Sequence, residues 1–173
     1  MITRPEPNEH LPIVKKYIDS VPEGNIITIL NDQFQKNQSL LNNLTEDIGN
    51  FRYASDKWSL KNVIGHIADV ERLWSYMILR IARGDVGVLS GYDRDLFVAN
   101  SFRDKLPLIM VLKDYEAVRK STISLIETLP EKSISNIGEF NSHPFSVRAC
   151  IYSIAGHETH HMNIIKSKYL NIG

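Results

Sequence analysis

Apolar residues recur at intervals of three and four along four long stretches of this chain, and that rhythm limits the possible folds more than any other feature. Such spacing lines one face of an α-helix. Ile27, Leu30, Phe34, Leu41 and Ile48 share the first face, with Asn37 and Gln38 on the same stripe. Leu60, Val63, Ile64, Ile67, Trp74, Ile78 and Ile81 share the second, with Ser59 as N-cap and a stop at Gly84 and Asp85 after about Arg83. The third runs from about Asp104, with Pro107 in its first turn, to Leu129 before Pro130. The fourth lies in the apolar segment from about Phe145 to Leu170. Strand-like alternation is nearly absent, and no internal repeat or long heptad run occurs. The pattern predicts an all-α chain, a four-helix bundle whose helices run roughly 20–26 residues.

The connections are uneven. Residues 1–25 carry four of the seven prolines, which predicts an extended arm with one turn of helix around Val14–Ile18. Residues 84–103 form a long link with three glycines and room for a short helix over Asp93–Asn100. A link of that length is often a lid or a site wall. Residues 131–144 read as a second long loop.

With 173 residues, one domain spanning 1–173 is expected, large enough for a core that needs no staples. Twenty Lys+Arg balance twenty Asp+Glu without a long run of one sign, which argues against a nucleic-acid partner or an acidic-membrane surface. The single cysteine, Cys150, forms no internal disulfide and falls on an inward stripe, as a small buried hydrophobe would. The first residues lack the apolar core of a signal peptide, and no run of eighteen apolar residues occurs, so a cytoplasmic location is expected.

Three of the six histidines fall within Gly156–His161. On a helix His157 and His161 stand one turn apart, within about 60° of Val147, Cys150, Ile154, Ile164 and Ile165 on the buried stripe, while His160 lies to one side. Buried ring nitrogens need partners: a metal is one, a buried water or carboxylate another. His157-Glu158-Thr159-His160-His161 also satisfies the H-E-x-x-H pattern of zinc proteases. The longer protease form needs a third histidine where Ser167 stands, and only twelve residues follow His161, so the match is weak. Glu158 stays a candidate base.

Two more charges point inward on their helices. Glu71 lies beside Ile67, and Arg119 falls in the third stripe. A buried ion pair fixing helix register is the favoured reading. The functional alternative makes Arg119 an anchor for a substrate carboxylate or a thiol cofactor. His66 sits at the margin of the second stripe. Asp69, one turn on, either orients that imidazole or stays in water, and the helical wheel favours water. Tyr53, Trp58 and Trp74 read as packing residues.

Trp58-Ser59-Leu-Lys-Asn-Val-Ile-Gly-His66, followed some ninety residues later by Ala155-Gly-His157-Glu-Thr-His-His161, resembles the DinB/YfiT-like superfamily, and its DinB-like branch above all. The resemblance covers essentially the whole chain. It implies an up-down-down-up four-helix bundle, often dimeric, with a metal held by His66, His157 and His161. Zinc and nickel are the metals it implies. Relatives of this kind include S-transferases and isomerases that use low-molecular-weight thiols, and metal-dependent hydrolases.

Three neutral imidazoles leave a metal open positions, as catalytic rather than structural sites do. Hydrolysis and thiol transfer on a small-molecule substrate are therefore both chemically open. A non-catalytic, stress-associated metal-binding bundle is the alternative.

Overall fold

Each of the long helices begins where the sequence supplies a cap or a substitute for one. The structure, a computed structural model, describes residues 2–85, 87, 88 and 90–172. After the short α1 (Lys15–Ser20) comes α2 (Ile26–Leu41), whose N-cap Asn25 accepts from the Ile27 and Thr28 amides. The small α3 (Glu46–Asn50) precedes α4 (Leu60–Ala82), capped by the Ser59 hydroxyl. A short α5 (Arg94–Ser101), capped by Asp93, lies inside the long link. Next, α6 (Leu108–Glu127) starts after Pro107, and the Leu108 amide donates to the Glu46 carboxylate at 2.7 Å. Finally α7 (Val147–Ile164), capped by Ser146, widens into a π-helical turn at Ile165–Tyr169.

The described residues are mainly helical, as the apolar rhythm predicts. α4 packs against both α6 and α7, and α2 against the same two helices. Side-chain pairs run in step along α4 and α6: Arg72 meets Asp114, and Ser75 meets Thr122. Along α4 and α7 they run in opposition, with Trp58 bonded to Tyr169 and Trp74 against His157. The core divides into two apolar clusters. One centres on Ile78, Phe145 and Ile151, the other on Ile64, Tyr115 and Ile165.

Three elements depart from the sequence reading. The first predicted helix breaks after Leu41, and Ile48 belongs to α3, whose own cap is Thr45. Residues 7–20, expected as an extended arm with a turn of helix, hold two 3-10 turns and α1, which docks along α7. The second long loop contains a hairpin, β1 (Ile137–Phe140) paired antiparallel with β2 (His143–Ser146). Its turn is Asn141-Ser142, both with positive φ, the conformation a tight hairpin turn requires. Four-residue strands are too short to register as alternation. Val86 and Leu89, in the long link, lie outside the described residues.

Candidate metal centre

The two halves of the histidine pattern meet where α4 crosses α7. His66 comes from the second turn of α4, and His157 and His161 from successive turns of α7. One ligand nitrogen from each ring lies within 4.8 Å of the others. Ring centroids stand 5.1 Å apart for His66 and His157, 4.9 Å for His66 and His161, and 4.4 Å for His157 and His161. His66 and His157 are each 5% exposed, and His161 is half-buried. Among the described residues, no hydrogen bond engages a ring nitrogen of the three.

Burial decides their charge. It pushes His66 down to about 4, with Arg94 and Arg103 adding to the fall and Asp69 opposing it. It pushes His161 down to about 3, helped by the neighbouring His66, His160 and Lys16. His157, the deepest, is held well below the ordinary imidazole range by burial and then by His161 and His66. All three are therefore neutral near pH 7 and keep a lone pair to donate. Neutral imidazole is a good donor for zinc, nickel, copper and iron, so this donor set fits a divalent metal.

Aromatic rings pack around the cluster. Trp58 lies 5.1 Å from His66, and its carbonyl accepts a hydrogen bond from the Tyr169 hydroxyl at 2.7 Å. Trp74 and Tyr17 close on His157 at 5.4 and 5.3 Å. Tyr17 arrives by an unusual approach. A Cβ on Gly156 would stand 1.9 Å from the Tyr17 carbonyl oxygen, so only glycine lets α1 lie so close to α7. On its open side His161 lines a cavity with Tyr53, Trp58, Arg94 and Tyr169. Sequence reasoning took Tyr53 and Trp58 as packing and gave Tyr17 and Arg94 no place in the site. Tyr17 sits far from the histidines in sequence, and Arg94 in a link without a helical stripe.

Arg119 and Glu158 lie elsewhere, in the sealed interior. Arg119 meets Glu71 through Nε and Nη2, both at 2.8 Å, and its Nη1 stands 2.8 Å from Glu158 Oε2 as an ion pair out of line for a hydrogen bond. The Tyr115 hydroxyl donates to the other Glu158 oxygen. Arg119 and Glu158 are both 0% exposed. Burial lowers the guanidinium pKa, but Glu158 and Glu71 more than reverse this and hold it well above the ordinary value. Burial and then Glu158 drive the Tyr115 phenol well above its own. The Glu71–Arg119 ion pair is the favoured sequence reading. A substrate or thiol cannot reach this Arg119, because its donors are spent on carboxylates and on the Leu30 carbonyl. Asp69, expected in water, instead binds Arg103.

The comparisons with known proteins agree with this architecture. The structure of YfiT from Bacillus subtilis, described as "a probable metal-dependent hydrolase with an unusual four-helix bundle topology", superposes with a TM-score of 0.75 at 15% identity, covering 99% of this chain and 97% of that one. No curated protein matches the sequence. The sequence model of the DinB superfamily matches residues 29–165, a span holding all three histidines of the cluster. The chain belongs to the DinB superfamily.

Proposed function

We propose that this protein is a metal-dependent enzyme acting on a small molecule, either a hydrolase or a transferase using a low-molecular-weight thiol, with His66, His157 and His161 as its metal ligands. One observation carries the reading: three neutral imidazoles converge from two helices, and His161 among them lines a cavity open to solvent. A divalent ion there, zinc or nickel as the family resemblance implies, would act as a Lewis acid toward a substrate oxygen or stabilise a thiolate.

The chain's own residues then have separate tasks. Trp58, Trp74 and Tyr17 hold the imidazoles in place and keep water from their flanks. Arg94, Tyr53 and Tyr169 shape the entrance. Glu158 and Arg119, wholly buried, act as frame residues that lock α7 to α4 and α6, and neither touches substrate. The in-step pairs along α4 and α6 and the opposed pairs along α4 and α7 support an up-down-down-up bundle forming one domain. We further propose a cytoplasmic homodimer, which sedimentation at several concentrations tests.

Metal analysis of the purified protein tests the ligand assignment. Wild type is expected to hold about one zinc or nickel per chain, and His66→Ala, His157→Ala and His161→Ala much less, as loss of one of three ligands dictates. Equal metal in wild type and variants would sink the assignment. A panel of thiols against an electrophilic acceptor, beside a panel of simple esters and amides, separates transfer from hydrolysis.

A further inference from the structure

Four residues at the start of α4 take no part in the histidine cluster, yet they fall on one stripe of that helix: the N-cap Ser59, Asn62, Gly65 and, just past the motif, Asp69. All four meet the dipeptide Arg103-Asp104. The Ser59 hydroxyl donates to Asp104 at 2.5 Å, and the Asn62 amide reaches both Asp104 oxygens at 3.1 Å. Arg52 closes on Asp104 from the other side at 2.6 Å. Arg103 passes directly over Gly65, where a Cβ would stand 2.1 Å from its Cδ and Nε. Its guanidinium then grips both Asp69 oxygens, at 2.8 and 2.7 Å.

This dipeptide follows α5 through Phe102, which bends back in the left-handed conformation at φ 53°. The other end of α5, Arg94 and Asp95, borders the cavity that His161 lines. Trp58 lies beneath, shared with a second cavity bounded by Asp95, Val98 and Arg103. Of its own side chains α5 buries only Val98. Eight residues with one buried side chain do not seat themselves by packing.

We propose that Arg103 and Asp104 are positioning residues: they staple α5 onto the Ser59–Asn62–Gly65–Asp69 stripe as a wall of the histidine cavity, and so set access to it. This rests on the histidine cluster being the reaction centre. The glycine of the motif is required as the channel through which Arg103 reaches Asp69.

The test uses the full chain loaded with Co²⁺. With Trp74→Phe leaving Trp58 as the only tryptophan, acrylamide quenching reports access beside His66. Arg103→Ala should speed amide exchange across Arg94–Ser101 by roughly tenfold, the factor that loss of a partly buried charge-assisted pair gives a local opening. Trp58 quenching and the rate of Co²⁺ release to EDTA should rise with it, while Co²⁺ stoichiometry stays at the wild-type value. Arg103→Lys should recover part of each effect.

Gly65→Ala should mimic Arg103→Ala, yet add nothing in the Arg103→Ala background, where the atoms it would strike are gone. Unchanged α5 exchange and Trp58 quenching in Arg103→Ala would overturn the proposal, as would simple additivity of the two substitutions. Should Arg103→Ala fail to fold, Asp104→Asn carries the same measurements. If wild type takes up no Co²⁺, the metal-enzyme reading falls, while exchange and quenching still decide the staple.

Discussion

Arg119 shows what a single buried charge demands of its neighbours. It is fully enclosed, so its cation persists only because Glu71 and Glu158 face it from two other helices. Replacing it with methionine would leave two carboxylates confronting each other without a counter-ion. Urea unfolding should show a loss of about 3–5 kcal/mol for Arg119→Met, the usual penalty for stranding a buried charge. Glu158→Gln keeps Tyr115 as a partner and should cost less. Half of this arrangement was legible in the sequence, because Glu71 and Arg119 each interrupt an apolar stripe. Glu158 was not, because it sits between motif histidines and suggests chemistry. One step of 100° from His157 turns it toward α6 instead. His157 and His161 could be placed from periodicity, whereas His66 lay at a stripe's margin and needed the family resemblance.

At the scale of elements, caps and breakers made the long helices readable, and close approaches stayed hidden. Ser59, Asp93 and the stop after Arg83 match the ends of α4 and α5 to within a residue or two. The hairpin and the docking of α1 depend on contacts distant in sequence, which no local pattern carries. Gly156 is the sharpest case: it reads as a motif letter, yet its work is to admit the Tyr17 backbone. Gly156→Ala should favour α7 locally, by about 1 kcal/mol of helix propensity, and still loosen the protein, because a backbone atom cannot swing aside as a side chain does. Amide exchange should show Lys15–Ser20 losing protection while α4 and α6 keep theirs. Retained protection in α1 would refute this account of Gly156.

For the whole molecule, the connection between the chain's first segment and its last helix is ionic as well as steric. Arg148 holds Glu9 through two nitrogens, and Ser146 donates to the same carboxylate at 3.0 Å. The hydrogen bond from Arg148 depresses the Glu9 pKa below its ordinary 4.5, outweighing the opposing effect of burial. A depressed carboxyl stabilises docking fully above about pH 4.5 and loses that contribution as pH falls through the lowered value. Protection factors at Lys15–Ser20, the intrinsic exchange rate at each pH divided by the observed one, should therefore fall on acidification below pH 4.5. Glu9→Gln should remove most of that pH dependence and leave a constant, lower protection factor.

Ser146 and Glu9 are 137 positions apart, and Gly156 receives Tyr17 across a similar interval. During synthesis, residues 9–20 leave the ribosome well before the α7 residues that seat them. Closing so long a loop is entropically slow, and it waits on a finished α7. The early segment must therefore stay undocked until α7 has been made, exposing Leu11, Val14 and Ile18, which the finished fold conceals. Its arrival puts Tyr17 against His157, so the histidine pocket is completed by a segment made long before the helix it closes on.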